Sequence, residues 1–318
     1  MKHKLSITLI LLGMFLIAQL IGLYVIDQYT PITQDIYNPQ TNSIETIFLN
    51  NNSLPFNLQP PEEETPSLIS IIFAFLLAFA LITILMKYNW KFLIIAWFLF
   101  VVTLALGITL NAFLKNYFVS ASIIALIIAA ILAYLKIFKK HFIIHNLTEV
   151  LIYPGISAVF VPILTPRTII FLLILISLYD MWAVWKSKIM QKMAKYQMEE
   201  LNIFGGFLIP SISKKVRNQI KNLKQKYKGK RVPKKIQIKK FKVNFAILGG
   251  GDVVFPIITS GVFYRAFGII PALAIMVGAF VGLAVLFMIS KKKPYPAMPY
   301  ITAGIFTGLL IWWWFFLQ

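Results

Sequence analysis

Leu248-Gly249-Gly250-Gly251-Asp252-Val253-Val254-Phe255-Pro256 sets three glycines and a carboxylate inside an apolar run, Val243 to Phe263, long enough to cross a bilayer. A charged side chain at the centre of a membrane helix costs roughly 2.5 to 3.5 kcal/mol on insertion scales, so an acid there reads as part of a working site. A second acid stands in another apolar run, Ile176-Ser177-Leu178-Tyr179-Asp180-Met181-Trp182. A third element, Pro296-Ala297-Met298-Pro299, opens the last run.

The whole composition agrees with a membrane solvent. Of 318 residues, 59% are hydrophobic and 13% charged, and the mean hydropathy is +0.78. Such a chain is a polytopic membrane protein rather than a soluble domain. Backbone in lipid must satisfy its own hydrogen bonds, and long apolar runs without period-2 alternation form helices, not a barrel. The expected fold is therefore all-α, a helical bundle. The net charge of +20 would suggest nucleic acid in a soluble protein. Here the basic residues cluster between apolar runs, where membrane topology accounts for them and no nucleic acid is implied. The absence of cysteine excludes disulfides, iron-sulfur clusters and a cysteine nucleophile.

The runs that can span are Leu5 to Ile26, Leu68 to Met86, Phe92 to Leu110, Phe118 to Leu135, Phe142 to Leu164, Thr168 to Trp185, Val243 to Phe263, Ile269 to Ile289 and Met298 to Leu317. They make about nine transmembrane helices. The first run exceeds a signal-peptide core and no small-x-small site follows it, so it reads as an uncleaved helix. The segment Asp27 to Pro66 has acids but no lysine or arginine, and it carries Asn51-Asn52-Ser53, a glycosylation sequon. By contrast, Lys87, Lys91, Lys136, Lys139, Lys140, Lys291, Lys292 and Lys293 all fall on the side of the N-terminus. The positive-inside rule then puts the N-terminus in the cytoplasm and Gln318 outside. The chain divides into a six-helix part (1–185) carrying Asp180, a basic cytoplasmic linker (186–242), and a three-helix part (243–318) carrying the glycine and proline motifs.

The linker holds eighteen lysines and arginines, a density that draws anionic lipid headgroups at about 1 kcal/mol per charge. Within it, Ile203 to Ile212 is apolar but too short to span, and reads as an interfacial segment. Lys235-Ile236-Gln237-Ile238-Lys239 alternates apolar and polar, a strand pattern whose edge suits main-chain capture of an unwound peptide, with Ile236 and Ile238 as its contacts.

Asp180 is six residues from Lys186 and Asp252 ten from Lys242, or about 9 and 15 Å along a helix. Both carboxyls then lie at similar depth in the cytoplasmic half. Two carboxyls in a low-dielectric site share one proton, and such a pair suits peptide hydrolysis: one member activates water while the other donates to the scissile carbonyl. Gly249, Gly250 and Gly251 let a substrate backbone approach Asp252. Pro256 removes a helix hydrogen bond one turn beyond it. Tyr179 is either a ring that packs on the pair or an amphipathic filler. Pro296, Ala297, Met298 and Pro299 hold backbone extended on the side of both acids, suited to lining a cleft.

In their order and letters, Tyr179-Asp180, Leu248-Gly249-Gly250-Gly251-Asp252 and Pro296-Ala297-Met298-Pro299 resemble the motifs of the presenilin and signal peptide peptidase family of intramembrane aspartyl proteases, in the manner of its microbial, archaeal-type members. The family's third motif usually reads Pro-Ala-Leu, and Met298 is a volume-conserving replacement. Pro271-Ala272-Leu273 spells that motif better but opens a span at the external face, the wrong side for the acids. The resemblance implies an Asp180/Asp252 catalytic pair, substrates that are transmembrane helices entering from the lipid and unwinding, and neither metal nor organic cofactor. The external C-terminus resembles presenilin rather than signal peptide peptidase, and the compact chain suits a microbial cell membrane.

Other chemistry fits less well. His145 and Glu149 share a helical face as metal ligands would, but there is no HExxH, and Glu149 reads as a packing partner for a nearby cation. A prepilin-type aspartyl peptidase would not account for the proline motif. A proton-coupled transporter or channel could use intramembrane acids, but no internal repeat is evident. If the strand pattern at 235–239 captures substrate, deleting Ile236 to Ile238 abolishes cleavage while membrane insertion, followed by fractionation, is unchanged; retained turnover removes that role.

Overall fold

The computed structural model of the chain describes residues 5–31, 33–38, 43–48, 53–56, 58, 68–88, 90–139, 141–187, 204–211, 244–290 and 295–316. In chain order these form α1 (Leu5–Tyr29), β1 (Thr33–Asn38), β2 (Ser43–Phe48), α2 (Leu68–Lys87), α3 (Lys91–Leu114), α4 (Ala121–Phe138), α5 (Phe142–Phe160), α6 (Pro166–Trp182), β3 (Gly206–Ser211), β4 (Asn244–Gly249), α7 (Gly250–Phe267), α8 (Ile269–Ile289) and α9 (Met298–Phe316). The described residues thus contain nine α-helices, as the apolar runs predict. Seven of the helical stretches are long and apolar enough to cross a membrane.

The surface of the bundle is built for lipid. Leu9, Trp97, Ile127, Leu178, Val277 and Leu310 are exposed, while Phe15, Leu106, Ile169, Leu173, Ile257, Ile275, Leu283 and Ile305 are buried. Both sets are apolar, so hydrophobicity alone does not tell inside from outside, and small residues and polar side chains mark the contacts between helices. Gln19 of α1 donates through Nε2 to the carbonyl of Val253 in α7 at 3.0 Å. Thr109 of α3 donates to the Leu151 carbonyl of α5 at 2.7 Å. Ser177 of α6 and Thr302 of α9 share a hydroxyl hydrogen bond of 2.8 Å. The helix α1 packs on α3, α5, α7 and α8, and α7 packs also on α5 and α6, so the early and late helices share one core.

Three readings of the sequence are corrected. Val243 to Phe263 does not form one helix: residues 244–249 are strand β4, and α7 starts at Gly250 after an extended Gly249 (φ −63°, ψ 145°). Three consecutive glycines are poor helix formers, at about 1 kcal/mol each relative to alanine, and the chain changes from strand to helix within them. Ile203 to Ile212 is not simply interfacial, because its residues 206–211 are strand β3, paired antiparallel with β4 from Gly206 opposite Gly249 to Ser211 opposite Asn244. The alternation expected of a strand is present there, with Phe207, Ile209, Ala246 and Leu248 buried on one face and Ile247 exposed on the other. Finally, Lys136 is not a loop cation. Helix α4 runs on to Phe138 and buries Lys136 in its last turn. Ile236 and Ile238 lie outside the described residues. In the acidic segment after α1, β1 and β2 form a second antiparallel hairpin.

Two joints decide where the late helices point. Gly268 has φ +86° and ends α7 by donating its N–H to the Tyr264 carbonyl at 2.9 Å, and α8 starts at the next residue. Such a left-handed joint is natural only for glycine. The helices α8 and α9 then meet backbone to backbone: a Cβ placed on Gly304 would lie 2.9 Å from the Gly278 carbonyl carbon and 3.1 Å from the Gly282 Cα. Replacing Gly304 with leucine must separate the two helices and is expected to destabilise the fold by about 1–3 kcal/mol. Leu310→Ala, on the exposed face, should change stability by less than about 0.5 kcal/mol. Thermal unfolding in detergent, followed by tryptophan fluorescence, distinguishes the two.

Candidate active site

The helix α6 ends, and α7 and α9 begin, at the same end of the bundle, and both acids stand at these ends. Asp180 is in the last turn of α6, where the helix widens into a π-turn at Ala183–Ser187. It is 7% exposed. Its carboxylate Oδ2 accepts the N–H of Met298 at 3.1 Å, and the N–H of Ala297 also donates to it. These donors belong to the start of α9, whose first N–H groups have no partner within their own helix. Ala297 serves as the cap residue, since its carbonyl accepts from Tyr300 and Ile301 at 3.2 Å each. Proline carries no N–H, so in Pro296-Ala297-Met298-Pro299 only the two middle residues can donate. Asp180 therefore caps α9 from a neighbouring helix, in the manner of a capping carboxylate.

Asp252 is held differently. It lies in the first turn of α7, not at the centre of a helix, and it is half-buried. Its carboxylate turns back to accept the N–H of Gly249, the residue that caps α7. This is the returning half of a capping box. The carboxyls of Asp180 and Asp252 are near enough for the charge of one to act on the other.

The three glycines have three surroundings. A Cβ on Gly249 would lie 3.1 Å from Asp252 Oδ2. On Gly250 it would lie 3.0 Å from both Cε1 and the hydroxyl oxygen of Tyr153. On Gly251, which is itself exposed, it would find only Phe255, at 3.8 Å. Of the three, Gly251 is the one left open for an approaching backbone, while Gly250 is given over to α5.

Tyr153, buried, with its hydroxyl against Gly250 and without a hydrogen-bond partner among the described residues, does not stand out in the sequence. The signal that could have found it is spacing: His145, Glu149 and Tyr153 recur every four residues and share one face of α5. Glu149 is ion-paired with Lys136 of α4, with both side chains 2% exposed. That pairing accounts for the acid without a metal, and among the described residues no group of three or more His, Cys, Asp or Glu side chains is arranged to hold one. Tyr179 does not reach inward; it is largely exposed, its ring 6.2 Å from that of Trp182. Pro256 is buried one turn beyond Asp252. Pro271 and Ala272 lie at the opposite end of α8 from the Pro296–Pro299 motif, where Ser260 donates to the Ala272 carbonyl at 3.0 Å.

The family model described as "Signal-peptide peptidase, presenilin aspartyl protease" matches residues 44–317. The chain belongs to this family. Two solved structures of a presenilin family intramembrane aspartate protease share its fold. The one in space group C222 superposes with a TM-score of 0.59 at 19% identity, covering 96% of this chain and 97% of the other. The one in space group P2 gives 0.54 at 20% identity, with 95% of each chain covered. No curated protein matches the chain. For this presenilin-family chain the glycine surroundings make a direct prediction. Gly250→Ala drives a methyl into Tyr153 and should lower stability by about 1–3 kcal/mol, whereas Gly251→Ala should not. Unfolding midpoints in detergent check the order.

Proposed function

We propose that the chain is an endopeptidase that cuts peptide bonds in or near the transmembrane helices of membrane proteins, with Asp180 and Asp252 as its catalytic pair. The observation that carries this is the two carboxyls at one end of the bundle, within reach of each other's charge and each held by backbone N–H groups of a helix start. Two carboxyls so placed hold one proton between them. The ionised member takes a proton from water as the water oxygen bonds to the scissile carbonyl carbon, and the protonated member gives its proton to the carbonyl oxygen. The resulting gem-diol then collapses. One of its hydroxyls returns a proton to the dyad, the dyad protonates the amide nitrogen, and the C–N bond breaks to leave a carboxylic acid and an amine.

A helical substrate keeps its carbonyls in i to i+4 hydrogen bonds, so it must unwind before this attack. Strand β4 supports a way of holding the unwound segment, because it runs into Gly249 and its neighbour Ile247 is 44% exposed. An extended peptide laid along this edge gains main-chain hydrogen bonds, and the open Gly251 admits its backbone beside Asp252. The Pro296-Ala297-Met298-Pro299 motif closes the other side, its Ala297 and Met298 holding Asp180.

In the orientation we infer from the charge pattern, the N-terminus is cytoplasmic and Gln318 external, with the dyad towards the cytoplasmic face of a microbial cell membrane. The basic segment 186–242 links the parts 1–185 and 243–318 in sequence, and its eighteen lysines and arginines attract anionic headgroups. The test is cleavage of a single-span peptide by the purified full-length protein in lipid. Asp180→Ala and Asp252→Ala should each reduce turnover by at least about a thousandfold. Full activity in either variant rejects the dyad.

A further inference from the structure

The hairpin that leads into Gly249 has two edges, and they differ. Leu208 of β3 donates its N–H to Oδ1 of Asn146 at 2.9 Å, and its carbonyl accepts from Nδ2 of the same side chain at 2.8 Å. One buried amide on α5 therefore makes the two bonds that another strand would make. At the preceding residue of α5, Nε2 of His145 lies 2.9 Å from the Gly206 carbonyl. A carbonyl only accepts, so Nε2 bears the proton, and Nδ1 faces Lys136 Nζ at 3.3 Å as an acceptor.

Antiparallel pairing fixes which groups point where. Because the N–H and carbonyl of Leu208 both point away from β4, Leu208 and Ile247 form a non-hydrogen-bonded pair, and Ile247 likewise points its own groups outward. By the period of two, Gly206 and Pro210 share the outer edge of β3, while Phe245 and Gly249 share that of β4. The Gly249 N–H bonded to Asp252 agrees with this assignment. Pro210 agrees as well, since its missing N–H falls on the outer edge and removes nothing from the pairing with β4.

We propose that Asn146 is a positioning residue for cleavage: by occupying the outer edge of β3 it fixes the hairpin to α5 and leaves β4 as the edge on which substrate can add. The inference rests on the reading of β4 as the docking strand. With β3 clamped, Ile247 stands at a fixed place along the chain from Asp252, and this sets which substrate bond meets the dyad. Releasing β3 lets the hairpin shift, so the same substrate is cut at more than one bond.

The experiment uses the full-length protein in lipid with a single-span peptide, and maps products by mass spectrometry. Asn146→Leu removes both bonds at similar volume. Leu208→Pro removes the N–H from the other partner without touching the β3–β4 bonds. Each should lower turnover about ten- to a hundredfold and spread the cut over neighbouring bonds. The double variant should be no worse than Asn146→Leu alone, because that change already removes both bonds. A general loss of stability would lower all products together at an unchanged position. Should Asn146→Leu fail to accumulate, Leu208→Pro still decides. Ile247→Pro tests the underlying reading, because it removes an N–H from the edge offered to substrate. Loss of cleavage in Ile247→Pro together with an unshifted cut in the other variants overturns the role of Asn146 alone. Unchanged cleavage in Ile247→Pro overturns the docking strand, and the role of Asn146 with it.

Discussion

The arrangement depends on one carboxyl accepting N–H groups from another helix. Asp180 ends α6, and Ala297 and Met298 begin α9, so the bond between them satisfies an acid and a helix start at once. Each would be costly alone in a low-dielectric surrounding, the acid for want of donors and the helix start for want of acceptors. Together they fix the relative height of α6 and α9, and the bond between Ser177 and Thr302 repeats the constraint one turn further along both helices. The prolines of Pro296-Ala297-Met298-Pro299 thereby acquire a function in numbers of donors: they limit the motif to two N–H groups.

Asp252 solves the same problem with its own helix. Placed in the first turn of α7 and turned back on Gly249, it sits where unpaired N–H groups and the helix dipole favour negative charge. That position exists only because the chain is a strand until Gly249. A helix begun at Val243 would carry the acid into its third turn, with no free N–H near it. The strand in turn needs a partner, which β3 provides, and β3 is held by Asn146 and His145 of α5. The same face of α5 carries Glu149, paired with Lys136, and Tyr153, packed against Gly250. This one helix therefore supports the strand, the glycine turn and the acid that follows it.

Much of this was legible before any coordinates. The nine apolar runs became nine helices among the described residues because span length is set by bilayer thickness, a constraint that each run meets or fails by itself. The two acids and the proline motif were visible because ionisable groups and prolines are rare in such runs and have few structural uses there. The boundaries at the site were not legible. Asn244 to Leu248 belongs to a run apolar enough to be helix, and only the presence of Gly206 to Ser211 alongside makes it a strand. Those two segments are separated in sequence by residues 212–243, so no local pattern records their pairing. Lys136 looked like a loop cation because its partner, Glu149, lies on the next helix.

The sequence by itself determined a helical membrane protein of this family with Asp180, Asp252 and Glu149 in its apolar runs, since those features follow from residue type and run length. Tertiary structure decided how the acids are held, which glycine stays open, and which edge of the strand pair α5 occupies. Those are matters of which donor meets which acceptor across helices. In a chain whose buried and lipid-facing residues are equally apolar, hydrophobic pattern does not encode such pairings, and only the packed bundle selects them.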